Sequence, residues 1–198
     1  MILKRVFDVI IALLGLAILW PILLIIGTAV YLSSPGPIFY RGIRAGKDGQ
    51  PFKIFKFRTM ILNAEKIGGG TTTLNDERII PVGAFLRRYK LDELPQLINV
   101  LKGDMSIVGP RPELLKYTKS YDNQEKVILS IKPGITDYSS IEFASLDEIV
   151  GYQNADEIYE KEVLRKKNAL RIKYVKERNM MLDLIIIMKT FVQLMRKL

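Results

Sequence analysis

The sequence predicts an α+β protein: a small, mainly helical domain with a short β-hairpin, an apolar N-terminal membrane segment, and amphipathic helices suited to an interface. Three observations predict it. No charged residue occurs from Val9 to Tyr40, and Val9 to Leu32 is almost wholly apolar. Two short strand-like stretches, Ile38–Arg41 and Phe52–Arg58, flank a turn-forming run. Further along, apolar residues recur at helical spacing between prolines and glycines that mark helix ends.

With 198 residues, the default is one domain with one sizeable core plus an appendage. The formal charge of +9 comes from 30 Lys and Arg against 21 Asp and Glu. Such a balance suits nucleic acid, an anionic membrane leaflet or a phosphate-rich substrate. Cysteine and histidine are both absent. That excludes a disulfide framework and thiolate metal sites, and removes the commonest neutral-pH base and the usual zinc ligand. Catalysis would have to use carboxylates, Lys, Tyr or hydroxyls, and any metal would be a hard, oxygen-bound ion.

The 24 residues from Val9 to Leu32 would form a helix roughly 36 Å long, enough for a hydrocarbon core of about 30 Å. The run is too long for a signal peptide and lacks a small-residue cleavage site. Pro21 sits in its middle, where proline removes a backbone hydrogen bond and kinks a helix. Basic residues flank both ends, Lys4 and Arg5 before, Arg41, Arg44 and Lys47 after. The positive-inside rule would keep both flanks in the cytoplasm. A helix–break–helix entering and leaving by one face satisfies both observations, and an ordinary span stays open beside it. Asp8 is expected at the interface. The turn cluster Ser33–Pro37 places the boundary between a membrane segment, residues 1–34, and a domain of residues 35–198.

In that domain Ala45–Gln50 makes a hairpin turn between the two strands. On the second strand, alternation puts Lys56 and Arg58 on one face, Phe55 and Phe57 on the other. Either a solvated basic face or an anion-binding face would have that pattern. The run Gly68–Thr73 lacks the Lys-Ser/Thr ending of a P-loop and is expected to be a mobile loop. Val82 to Lys90 is expected to be a helix with the basic stripe Arg87, Arg88 and Lys90.

The stretch Leu91–Glu113 holds the densest chemistry. Asp92 and Glu93 precede Pro95, a short helix over Gln96–Lys102 ends at Gly103, and Arg111 stands between Pro110 and Pro112. Proline in a first turn and glycine just past the last turn frame that helix, whose N-terminus suits a phosphate. Adjacent helical residues point about 100° apart, so the two carboxylates divide their labour. One would serve as nucleophile, the other as a ligand for Mg²⁺. Ordinary helix capping explains an acidic pair in isolation, but a guanidinium fixed by two prolines matches phosphate in bidentate fashion.

With these residues assembled, the chain resembles the bacterial sugar transferases that act as monotopic phosphoglycosyl transferases. The resemblance covers nearly the whole chain: KRVFDVIIALLGL with its later proline, FKIFKFRTM, RIIPVGAFLRRYKLDELPQLINVLKGDMSIVGPRP, KPGIT, and YVKERNMMLDLIIIMKT. It implies transfer of a phosphosugar from a UDP-sugar, of the N-acetylhexosamine or deoxy type, to polyprenol (undecaprenol) phosphate. Asp92 would attack the β-phosphate, releasing UMP and leaving a covalent phosphosugar–enzyme intermediate. Glu93 matches the family's Mg²⁺-binding carboxylate and Asp183 a further functional acid. Lys56, Arg58, Arg87, Arg88 and Arg111 are the expected phosphate-binding residues. The family's re-entrant helix, broken at its proline, puts the break near Pro21 and the catalytic domain on the cytoplasmic face of the bacterial inner membrane. Membrane lipids are then partners, nucleic acid is not, and a homodimer stays open.

The chain departs from the family at Asp137–Phe143, where many relatives carry a Gly-Trp-Ala-Gln-type continuation; this puts sugar specificity in question. Trp20 replaces a small polar residue, and Met180-Met181 a polar pattern before Asp183. Glu157–Arg178 is expected to be a solvated surface helix with pairs such as Glu162–Lys166. Met180–Leu198 places Met181, Leu184, Ile185, Met188, Val192 and Met195 on one face, as in an interfacial amphipathic helix. Asp183 inside that apolar run calls for a partner. Two other classes fit parts of the sequence: a membrane-anchored basic domain for an acidic partner, and a membrane phosphohydrolase with the same aspartyl chemistry.

Overall fold

The computed structural model describes residues 2–68, 72, 76–143 and 155–196. In chain order its helices are α1 (Ile2–Ser33), α2 (Ala64–Ile67), α3 (Pro81–Arg88), α4 (Gln96–Lys102), α5 (Leu115–Thr118), α6 (Tyr138–Glu142), α7 (Ala155–Ile158), α8 (Leu164–Glu177) and α9 (Met180–Met195). The strands are β1 (Phe39–Tyr40), β2 (Ile43–Ala45), β3 (Pro51–Lys53), β4 (Lys56–Phe57), β5 (Ser106–Val108) and β6 (Gly134–Thr136). The mainly helical α+β class is as expected.

Helix α1 runs without interruption through Pro21. The expected break is therefore not a break in the helix: proline removes one i→i−4 bond of the ladder, and the helix carries past it. Its first half lies on α4, where Ala12, Leu16 and Leu19 pack with Leu97 and Val100. Arg5 donates to Val100 O at 2.6 Å and Leu101 O at 2.9 Å, satisfying carbonyls at the end of α4. Its second half packs Ile26 and Val30 against Phe57 and Leu86. Between these docks, Ile18, Trp20, Leu24 and Ile25 are 58–72% exposed. Both halves of one long apolar helix thus touch the same domain, while its outer surface is bare.

Asp8 is not interfacial. It is buried, accepting from Ser106 Oγ at 2.8 Å and the Ile107 amide at 3.1 Å. Lys4 Nζ bridges Asp8 Oδ1 at 3.0 Å and Asp183 Oδ2 at 2.8 Å, and Tyr174 donates to Asp183 Oδ1 at 2.7 Å. A carboxylate without partners in an apolar surround would be costly. These contacts tie α1, β5, α8 and α9 into one polar clamp.

A hairpin closes at the expected turn, Gly46–Gln50, but its first strand is β2 rather than the expected Ile38–Arg41: β2 and β3 pair antiparallel, Ile43 opposite Lys53. The expected strand over Phe52–Arg58 is divided. β4 leaves β3 and pairs with β1, Phe57 opposite Phe39. Asn99 causes the division by replacing ladder bonds. It accepts from the Phe55 amide at 2.7 Å and donates to Lys53 O at 2.9 Å.

Strands β5 and β6 form a short parallel pair that the sequence did not announce. Gly134 permits it, because a Cβ there would stand 2.0 Å from the Gly109 amide nitrogen. Most of the glycine run Gly68–Thr73 lies outside the described residues. Helix α8, reached from α7 through a π-helical turn at Tyr159–Val163, is not simply a solvated helix. Tyr159, Val163, Lys167, Arg171 and Tyr174 are buried at intervals of three and four. On α9, Asp183 and Ile186 are buried, whereas Met181, Leu184, Ile185, Met188, Val192 and Met195 remain exposed. That face is not core.

Candidate active site

Helix α3 delivers the chain to the site. Pro81 opens it at the first helical position, where the missing amide hydrogen costs nothing. Lys90 then adopts a left-handed conformation, φ 57°, and starts a 3₁₀ turn over Leu91–Glu93. Leu94 and Pro95 keep right-handed helical angles into α4, which ends at Gly103 with φ 89°, as the sequence led one to expect. This turn buries both Asp92 and Glu93.

The two carboxylates have opposite surroundings. Glu93 is fully partnered: Lys56 Nζ donates to its Oε1 at 2.8 Å, Arg111 Nη1 to its Oε2 at 3.0 Å, and Arg111 Nη2 to Oε1. Burial pushes Glu93 up, but Arg111 and Lys56 outweigh it and hold the carboxyl well below the usual range. Asp92 Oδ1 is buried with no hydrogen-bond partner. Burial raises the Asp92 pKa against the pull of Lys56, with Glu93 adding to the rise. One carboxylate anchors cations, while the other is desolvated and unengaged. The two carboxylates thus differ in their contacts, and Glu93, expected as a metal ligand, has both oxygens taken by cationic side chains.

Arg111 is preorganised from both sides. Its amide donates to Asp137 Oδ2 at 3.1 Å. The Gly109 amide donates to Thr136 O at 3.1 Å, and that of Gly134 to Pro110 O at 3.0 Å. No peptide bond among the described residues is cis. Behind the loop, Arg171 donates to Glu113 Oε1 at 2.7 Å and to Asn168 Oδ1 at 2.9 Å, and lies 3.9 Å from Asp137 Oδ2. Tyr159 also donates to Glu113 Oε1. The polar stripe on α8 therefore braces the loop that carries Arg111.

The predicted residues do not all converge. Lys56, Asp92, Glu93 and Arg111 meet, and Arg87 is near enough to draw the Asp92 pKa down while it donates to Thr72 and Thr59. Arg58 turns away: it is buried and donates to Pro35 O at 3.1 Å and to Ser34 O, capping the end of α1. Simple alternation failed here because β4 belongs to a different ladder from β3. Arg88 is exposed, with its guanidinium 5.8 Å from the Tyr89 ring centroid. Asp183 sits in the clamp with Lys4 and Tyr174. The sequence placed Lys90 in a basic stripe without a role at the site, and gave Gln96 only as the start of a helix. Lys90 titrates low, through burial and the nearby Arg111.

Among the described residues, Lys56, Arg87, Lys90 and Arg111 lie around Asp92 and Glu93, with Asp137 beside Arg111, which leaves an excess of positive charge for a phosphorylated ligand. Among the described residues there is no cluster of three or more side chains able to hold a metal. Of the pair only Asp92 keeps an unpartnered oxygen, so the residues fit Mg²⁺ in its one-carboxylate mode, with phosphate oxygens completing the shell, and the expected role of Glu93 as ligand is not supported by its contacts.

Residues 1–197 match the family model described as bacterial sugar transferase. An Escherichia coli UDP-glucose:undecaprenyl-phosphate glucose-1-phosphate transferase is 40% identical over 95% of this chain and 39% of its own length. The Xanthomonas campestris protein of the same name is 38% identical over 97% of the chain and 38% of its own length. A UDP-N-acetylgalactosamine-undecaprenyl-phosphate N-acetylgalactosaminephosphotransferase from Aeromonas hydrophila is 33% identical over 94% of the chain and 42% of its own length. The chain thus spans about two fifths of the length of these relatives.

Proposed function

We propose, starting from the fact that this chain belongs to the bacterial sugar transferase family, that it moves a sugar-1-phosphate from a UDP-sugar to a polyprenol phosphate such as undecaprenyl phosphate. The carrying observation is the contrast at Asp92-Glu93: a buried carboxylate with a free oxygen beside one saturated by a lysine and an arginine. Asp92 is the nucleophile. Its oxygen forms a bond to the sugar-linked phosphorus, the bond from that phosphorus to UMP breaks, and UMP leaves with the electron pair. The acyl phosphate so formed is reactive enough to pass its phosphosugar to a weak second nucleophile, the lipid phosphate, which restores the carboxylate. Lys56 and Arg111 bind the diphosphate oxygens, and Glu93 holds both cations in place. Mg²⁺ held by Asp92 and the donor's phosphates would neutralise charge on the transferring group, since both Glu93 oxygens are taken by Lys56 and Arg111. Burial keeps water from the acyl phosphate.

The acceptor resides in a bilayer, and two features suit the chain to one. Both halves of α1 dock on the same domain, which favours a helix that enters and leaves by one face over a simple span. The exposed apolar face of α9 suits the interface, and the basic flanks favour the cytoplasmic side for the domain. Single cysteines at position 2 and position 48, both exposed, should label from the same side, and labelling from opposite sides would restore the simple span.

The reaction is tested by incubating the protein in detergent with Mg²⁺, UDP-N-acetylgalactosamine or UDP-glucose, and undecaprenyl phosphate. UMP release that requires the lipid is expected. Release without lipid would mark a hydrolase, and none with a panel of UDP-sugars would refute the transferase.

A further inference from the structure

Two buried polar groups one helical turn apart lack hydrogen-bond partners. One is Asp92 Oδ1, and the other is the carboxamide of Gln96, both Nε2 and Oε1. Gln96 is 1% exposed. From Leu91 to Lys102 the backbone is helical throughout, with Leu94 and Pro95 linking the 3₁₀ turn to α4. Residues 92, 96 and 99 therefore share a face, at i, i+4 and i+7. Its direction is settled at both ends. Asn99 bonds the backbone of Lys53 and Phe55, and Asp92 feels the charge of Lys56. Gln96 lies between them on that face.

Asn99, three residues on, uses its whole carboxamide: besides the two backbone bonds it donates to Asp104 Oδ2 at 3.1 Å. Gln96 uses none, and so carries the full desolvation penalty of an unpaired buried amide. A leucine would fill the same space without it. The amide's complement on that face is Asp92 Oδ1, which also lacks a partner. Glu93 is excluded as its partner because Lys56 and Arg111 occupy both Glu93 oxygens.

We propose that Gln96 is a positioning residue for Asp92: with the donor bound, its carboxamide donates to Asp92 Oδ1 and presents the other carboxylate oxygen to the phosphorus. Catalytic hydrogen bonds are often unformed in ligand-free sites and tighten when substrate arrives. The inference rests on Asp92 being the nucleophile, as proposed above. Gln96 does not itself touch the donor.

Gln96→Leu and Gln96→Met remove the amide at nearly constant volume. Their thermal midpoints and their steady-state UMP release from UDP-N-acetylgalactosamine and UDP-glucose, with undecaprenyl phosphate, are compared with the wild type. Both variants should melt at or above the wild-type temperature. Their kcat should fall about 10²-fold, the usual consequence of a misplaced reacting group, with KM for the donor within about threefold. A kcat within about threefold of wild type overturns the proposal, as does a lowered midpoint in both variants or a loss confined to KM. The two failures separate cleanly. An inactive wild type removes the transferase and this inference together, whereas an active wild type with active Gln96 variants removes this inference alone.

Discussion

Removing the negative charge of Glu93 should release two cations at once. In the structure its carboxylate takes Lys56 and both terminal nitrogens of Arg111, and the side chains involved are 10%, 19% and 27% exposed, in the order Glu93, Lys56, Arg111. Two unit charges about 3 Å apart at an effective dielectric near 20 attract by roughly 5 kcal/mol. Desolvation and the residual exposure of the two cations take back more than half. About 2 kcal/mol of net coupling between Glu93 and Arg111 remains, or about 4–8 °C in Tm for a chain of this size. A thermal-unfolding cycle of wild type, Glu93→Gln, Arg111→Met and the double variant isolates that coupling. The double variant should be more stable than the sum of the single losses predicts, and moderate salt should erode the coupling only slightly, because the pair is shielded from solvent ions. Single losses that add within about 0.5 kcal/mol would refute a strongly coupled pair.

Arg58→Met should lower stability by about 2 kcal/mol, the usual worth of charge-assisted bonds, here those to Ser34 O and Pro35 O. It should leave KM for the UDP-sugar unchanged, and a tenfold rise in KM would return Arg58 to the phosphate site. Arg171→Met should cost about 3–5 kcal/mol by stranding the buried Glu113, and adding Glu113→Gln should recover part of the loss in a thermal melt. Lys167 titrates near pH 7, through burial and the nearby Arg171, although Glu113 and the ring faces of Tyr159 and Phe143 oppose the shift. Its folded pKa lies below the ordinary 10.5, so the unfolded chain holds more protons between those values and stability rises with pH across that window. The rise should be on the order of 5 kcal/mol at most, and Lys167→Met should flatten the Tm–pH profile.

The parts legible in the sequence are those set by local chemistry. Pro95 and Gly103 bound their helix where expected, the helix expected over Val82–Lys90 falls at Pro81–Arg88, and the turn at Gly46–Gln50 closes its hairpin. Asp92, Glu93, Lys56 and Arg111 were found because a helix start, a strand and a proline-locked arginine each carry a local mark. What stayed hidden depends on distant partners. Nothing near Arg58 says that Asn99 will divide its strand and send the guanidinium to the end of α1. Lys167, Asn168 and Arg171 look like a solvated face because hydrophobic periodicity has no symbol for a buried ion network. Asp8 resembled an interfacial charge because its partners Ser106 and Ile107 lie about a hundred residues away. The parallel pairing of β5 with β6 joins two three-residue strands, too short for any periodic signal.

The most direct test of the chemistry is intact-mass analysis of the protein with a UDP-sugar it accepts, in Mg²⁺ and without lipid acceptor. The wild type should gain the mass of one phosphosugar and release one equivalent of UMP, and Asp92→Asn should gain none. An adduct retained on Asp92→Asn, or normal turnover by that variant with lipid present, would contradict a covalent intermediate at Asp92.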